Sequence, residues 1–117
     1  MFSGCTSLTQ APALPATTLG QDCYWGMFGH CSSLTDAPSL PATTLVSGCY
    51  RRMFEYCTNL SSIDVAFTEW TPADITNATI DWVKGVQTTA GTFTKPAALS
   101  TEFSGSRIPT NWTVVDQ

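Results

Sequence analysis

The chain repeats itself with a period of 26 residues. Met1–Gly26, MFSGCTSLTQAPALPATTLGQDCYWG, and Met27–Arg52, MFGHCSSLTDAPSLPATTLVSGCYRR, agree at 16 of 26 positions without a gap, and Met53–Leu60, MFEYCTNL, restarts the pattern. A fixed period of roughly 20–50 residues marks an array of structural repeats, because one such unit cannot bury its own apolar side and must stack on its neighbours. The unchanged positions fit that logic. Met27, Phe28, Cys31, Leu34, Ala37, Leu40, Leu45, Cys49 and Tyr50 each have an identical residue one period earlier, and all suit the inside of a coil. The paired threonines of LPATTL suit a short strand with polar side chains outward. Pro38 and Pro41 keep any such strand short, since proline donates no ladder hydrogen bond. The run Cys49–Tyr56, free of Pro and Gly, is expected to form a turn or two of helix.

From Ser61 the third copy drifts and reaches Trp70 without a second PATTL. The reading is a repeat domain over residues 1–70 (repeats 1–26 and 27–52, with a partial copy 53–70) and a C-terminal cap over 71–117. Thr76 or Asn77 is placed to cap a helix over Ala78–Val86. Ala78, Trp82 and Val86 share its apolar stripe, with Ile80 and Val83 broadening it, so Trp82 is assigned to the core. Gly91–Thr94 and Ile108–Val115 are the strand candidates of the cap.

The residues Met27-Phe28-x-x-Cys31-x-Ser33-Leu34-Thr35 with Leu40-Pro41 resemble the BspA-like leucine-rich repeats of bacterial surface proteins from gut and oral anaerobes. The likeness covers Met1 to about Trp70. It departs at Ala37-Pro38, where the family has an alternating apolar strand, and in Met-Phe for the commoner Ala-Phe. Trp82-Val83-Lys84-Gly85-Val86, Gly91-Thr92-Phe93 and Ile108-Pro109-x-x-Trp112-Thr113-Val114-Val115 resemble the closing segment after such repeats. The resemblance implies an α/β repeat solenoid: a short, right-handed, leucine-rich-repeat-type coil closed by a helix and strands. It also implies a non-catalytic adhesion or binding module, at the cell surface or secreted, contacting a host protein or glycan ligand. A structural spacer, or a phage tail or fibre component, is the alternative.

Composition narrows the partners. With 12% charged residues and a net charge of −4, the chain has no basic patch for nucleic acid. No run of 18 apolar residues is present, so no membrane span is expected. The first coil lacks a polar cap, which leads to the expectation of further repeats before Met1 or of self-association through the N-terminal coil edge.

Five cysteines fall on two repeat positions: Cys5, Cys31 and Cys57 on one, Cys23 and Cys49 on the other. Buried free thiols, a disulfide between neighbouring coils, or a metal site are the three readings. The first is preferred, because a small thiol packs well inside a coil and no CxxC pair exists. No cofactor motif, neither GxGxxG nor GxxxxGK[ST], occurs. His30 is the sole histidine and adjoins Cys31, but chain neighbours point in different directions, and the carboxylates show no paired spacing, so no catalytic constellation is assembled. The positions that vary between copies concentrate at the Met-Phe corner. The candidate binding residues there are Trp25, His30, Arg51, Arg52, Glu55 and Tyr56, of types that concentrate binding energy at interfaces. Arg51 and Glu55 also have the spacing of an ordinary helical i,i+4 pair. A second polar surface comprises Gln10, Asp36, Thr17, Thr18, Thr43 and Thr44.

Overall fold

Apolar residues four apart, such as Ala78, Trp82 and Val86, can be gathered on one side by a helix, but the chain gathers them differently. In the structure, a computed structural model that describes residues 2–117, every fourth residue of each corner is left-handed. Asp22, Gly26 and His30 have φ of 56°, 64° and 62°; Gly48, Arg52 and Tyr56 have 65°, 55° and 59°; Asp81 and Gly85 have 55° and 78°. Between them the main-chain N–H groups divide into two sets. One set reaches back three residues, as Cys23 does to Gly20, Trp25 to Asp22, Met27 to Tyr24, Gly29 to Gly26 and Cys31 to Phe28. The other set leaves the pass for the next one: Asp22, Tyr24, Gly26, Phe28 and His30 donate to the carbonyls of Ser47, Cys49, Arg51, Met53 and Glu55 at 2.9, 3.0, 2.8, 2.9 and 2.7 Å. An α-helix needs unbroken right-handed dihedrals and i→i−4 bonds. A left-handed residue in every four removes both.

The expected fold class is therefore corrected. There is no α-helix among the described residues, and Ala78–Val86, read as a capping helix, is a run of these turns, as is Cys49–Tyr56. The one helical element among the described residues is a 3₁₀ turn at Pro72–Asp74. The chain is a small globule of 36 × 28 × 21 Å with a three-stranded parallel sheet, and not a helix-capped leucine-rich-repeat-type solenoid. No helix among the described residues is long and apolar enough to cross a membrane.

The sheet is built from β1 (Ser62–Asp64), β2 (Thr92–Lys95) and β3 (Thr113–Asp116), in that order. Ile63 pairs with Phe93 and Phe93 with Val114. Ile63 and Phe93 are buried while Ser62, Asp64, Thr92 and Thr94 lie at least partly exposed, as the two-residue alternation of a half-buried strand requires. Single-residue bridges from Gln10 to Asp36 and from Asp36 to Ser62 carry the pairing into the repeated region. The threonine pairs are not strands: Thr17-Thr18 and Thr43-Thr44 form exposed bends just after a proline and an alanine.

Corresponding side chains of successive passes stack. Phe2, Phe28 and Phe54 form one column, with centroids 5.5 and 5.8 Å apart and planes within 8° and 5°. Tyr24 and Tyr50 form another at 6.0 Å and 3°. Trp82 closes both columns, 5.9 Å from Tyr50 and 6.0 Å from Phe54, and its indole N–H donates to the Arg107 carbonyl at 2.7 Å. It is fully buried, as expected for a core residue. Each ring pair is worth about 0.5–1.5 kcal/mol beyond the area it buries.

Candidate functional site

The turn corner has inward and outward side chains. Tyr24 and Phe28 pack in or against the core, whereas His30, Arg52 and Tyr56, at left-handed positions, are exposed, as is Trp25, which does not have a positive φ. The outward residues make columns of their own. The Arg51 guanidinium carbon lies 4.5 Å from the centre of the Trp25 ring. His30 stacks on Tyr56 at 5.1 Å, and the Lys84 ammonium lies 5.9 Å from the centre of the same Tyr56 ring. Trp25 keeps 45% of its surface exposed and Tyr56 keeps 39%, so both rings are held by cations without being buried by them. The Tyr56 ring also lies across Gly85, where a Cβ would fall inside it.

Arg52 forms the corner's ion pair, Nε to Glu55 Oε2 at 3.7 Å across three residues of turn. This replaces the helical Arg51–Glu55 pair considered above, because no helix exists to place residues four apart together. An exposed pair of this kind contributes about 0–1 kcal/mol. Arg51 instead spends its charge on Trp25, and its Nε is buried without a hydrogen-bond partner. The structure thus places the six candidate residues on one corner as two cation–aromatic groups and an ion pair. It adds Lys84, which sequence reasoning missed because the two rows meet there outside the 26-residue interval.

The other candidates take different positions. Thr17, Thr18, Thr43 and Thr44 are exposed on bends, apart from the Gln10–Asp36–Ser62 bridge line, where the Ser62 hydroxyl donates to Asp36 Oδ1 at 2.7 Å. A shallow groove of about 270 Å³ is lined by Ala11, Leu14, Pro15, Pro38 and Pro41 and offers no ionisable side chain.

The cysteines are free thiols, with Cys31, Cys49 and Cys57 buried and Cys5 and Cys23 exposed. The Cys31 thiol donates to the Phe2 carbonyl at 2.9 Å and the Cys57 thiol to the Phe28 carbonyl at 3.0 Å, each reaching the preceding pass. Burial pushes the Cys49 thiol up to about 11 and the Cys57 thiol up to about 12, and it raises Cys23 and Cys31 as well. His30 faces Tyr56 while the adjacent Cys31 thiol turns inward to Phe2, so the two side chains do not meet. Among the described residues no three His, Cys, Asp or Glu side chains converge as a metal set.

No family model, curated protein or solved structure matches the chain.

Proposed function

We propose that the chain is a non-catalytic binding module that contacts a protein or glycan ligand through the turn corner, with Trp25 and Tyr56 as its flat contact surfaces. The observation that carries this reading is the pair of exposed rings held rigid by Arg51, His30 and Lys84. A ring fixed before binding loses little freedom on contact, and aromatic and arginine side chains dominate interface energetics. Backbone strain supports the same assignment. His30, Arg52 and Tyr56 occupy left-handed positions that Gly4 and Gly26 fill in the first copy of the repeat. A non-glycine residue there costs roughly 1 kcal/mol or more, and such strain concentrates at functional sites. The sequence resemblance to BspA-like surface repeats is the basis for proposing an exposed, adhesive setting.

The test is to immobilise the whole chain and measure binding to panels of glycans and extracellular matrix proteins. Trp25→Ala and Tyr56→Ala are expected to weaken the recovered ligand by about tenfold each, as truncation of a central aromatic does. A ligand retained at full affinity by the double variant would remove the corner from the function. Silence in both panels would favour the spacer reading.

A further inference from the structure

The turn corner hands its main-chain bonds forward from pass to pass, and in the third pass that series is interrupted. Arg52, Phe54 and Tyr56 donate to the carbonyls of Ile80, Trp82 and Lys84 at 3.0, 2.8 and 2.6 Å. Their counterparts Asp81 and Val83 keep the rule, donating to the Ser106 hydroxyl at 2.9 Å and to the Gly105 carbonyl at 3.0 Å. Gly85, the counterpart of Tyr56, finds no acceptor among the described residues. The cause lies inside the chain. Residues 104–108 close a tight turn, Ser104 donating to Ile108 at 3.0 Å and Arg107 to Ser104 at 3.2 Å, so the Ser104 and Gly105 carbonyls already accept from Arg107 and Val83.

What stands beside Gly85 instead is a cavity of about 200 Å³. Its wall holds Lys84, Gly105 and the exposed hydroxyls of Thr88, Ser104 and Thr110. The Ser104 hydroxyl accepts from the Ser106 N–H at 3.1 Å and retains its own hydrogen to donate. A whole drug-sized ligand needs roughly 300–1,000 Å³, so this space suits one small group of a ligand.

Charge selects the group. Lys84 is the only ionisable side chain on the wall. The other cations of the chain are matched: Arg52 pairs with Glu55, Lys95 with Asp116 and Arg107 with Glu102, while Arg51 lies against Trp25. Lys84 is exposed, with its ammonium 5.9 Å from the Tyr56 ring centre, and it forms no ion pair among the described residues, neither with Asp81 three residues earlier nor with Glu55. Other hollows differ in sign. The groove at Pro15, Pro38 and Pro41 has no ionisable side chain, and the hollow beside Trp70 carries the carboxylates of Glu69 and Glu102. A small group that brings negative charge and accepts several hydrogen bonds matches the Gly85 cavity, and a carboxylate does both with two oxygens.

We infer that the cavity beside Gly85 and Gly105 is a binding site for a carboxylate, with Lys84 as its counter-ion and the Gly85 N–H as the donor that the third pass leaves over. An acidic sugar and an acidic amino acid both carry that group. The site does not rest on the ligand proposed for Trp25 and Tyr56, because no aromatic ring lines the cavity.

The probe is sodium acetate, titrated at neutral pH and constant ionic strength into the nitrogen-15-labelled whole chain and followed by amide chemical shifts. Saturable shifts are expected at the Gly85 and Gly105 amides, with a Kd on the order of 1–10 mM for so small a ligand. Acetamide, of the same shape without the charge, should bind at least about tenfold more weakly. Lys84→Gln should weaken acetate by about tenfold and Lys84→Arg should restore most of it, which separates charge from packing. Methyl glucuronide and N-acetylaspartate, each as its carboxylate, then distinguish the two sources, the one that binds more tightly than acetate being assigned. No saturable shift at Gly85 up to about 100 mM acetate overturns the proposal. So does an equal response to acetamide, which is read on the unaltered chain, or a loss in Lys84→Arg as large as in Lys84→Gln. Weaker binding of both larger acids than of acetate overturns it too, since the cavity would then admit no real ligand.

Discussion

Gly85→Ala tests the turn geometry and the corner in one experiment, provided that Gly26→Ala is measured beside it. Both glycines are left-handed, with φ of 78° and 64°, so each alanine incurs a backbone cost of about 1–2 kcal/mol. At Gly26 a Cβ meets nothing within 4 Å. At Gly85 it falls within the Tyr56 ring, and because it also lies 3.1 Å from Tyr56 Cγ, rotating the ring tip away does not relieve it. The whole side chain must leave its stack with His30 and Lys84, adding about 1–2 kcal/mol of lost ring contact and overpacking. Urea unfolding followed by tryptophan fluorescence reads both, with the cost taken from the midpoint at unchanged slope. We expect about 2–4 kcal/mol for Gly85→Ala and about 1–2 kcal/mol for Gly26→Ala. In a Tyr56→Ala background the Gly85→Ala cost should fall to that of Gly26→Ala. Equal costs for the two glycines, or no relief on removing Tyr56, would refute the packing of Tyr56 across Gly85.

Three other outcomes follow from the same contacts. Arg52→Gly relieves a left-handed arginine and forfeits an exposed ion pair, so thermal unfolding should show a gain of about 0.5–1 kcal/mol, together with weaker ligand binding. Iodoacetamide followed by mass mapping should label Cys5 and Cys23 in the native chain and Cys31, Cys49 and Cys57 only in denaturant. Because burial raises the buried thiols to about 11 at Cys49 and about 12 at Cys57, their protonated forms stabilise the fold fully below the ordinary thiol value near 8.5. That contribution is lost as pH rises toward 11–12, at about 1.4 kcal/mol per pH unit per thiol, so melting temperatures should hold to about pH 8 and fall steeply above 9. Asp116→Ala should cost more than Lys95→Met: the Lys95 ammonium is buried 2.9 Å from the exposed Asp116 carboxylate and 2.7 Å from the Leu99 carbonyl, and only the first change leaves a buried charge without its counter-ion, a loss of about 1–3 kcal/mol measurable by chemical denaturation.

The repeat made part of this arrangement legible. Trp25 and Arg51, and likewise His30 and Tyr56, stand one period apart, so the interval that aligns the copies also predicts which outward side chains meet. The strand at Gly91–Thr94 was visible in its β-branched and aromatic residues and lies at Thr92–Lys95. The corner's backbone was not legible, because apolar residues at Ala78, Trp82 and Val86 satisfy a helix and a four-residue turn equally. A discriminating signal was present in Asp22, Gly26, Gly48, Asp81 and Gly85, which repeat the residue types that tolerate positive φ at four-residue spacing. Arg52 and Tyr56 interrupt that signal, having no intrinsic preference for the left-handed region. Lys84 was hidden for a different reason: Tyr56 lies across Gly85, so the third pass has lengthened beyond 26 residues before the two meet.

That four-residue turn connects the corner's exposed surface to its polarity. A left-handed residue in every four turns its side chain outward and sends its N–H to the next pass, so the residues that display His30, Arg52 and Tyr56 are the same ones that tie successive passes together. Their outward side chains are consequently fixed by main-chain bonds of 2.6–3.0 Å rather than by burial. A helix in the same place would have satisfied its own N–H and C=O groups internally and offered no row of surface side chains anchored to the next pass. Binding at the corner therefore rests on that backbone choice, and substitutions that restore right-handed dihedrals at residues 52 and 56 should weaken it.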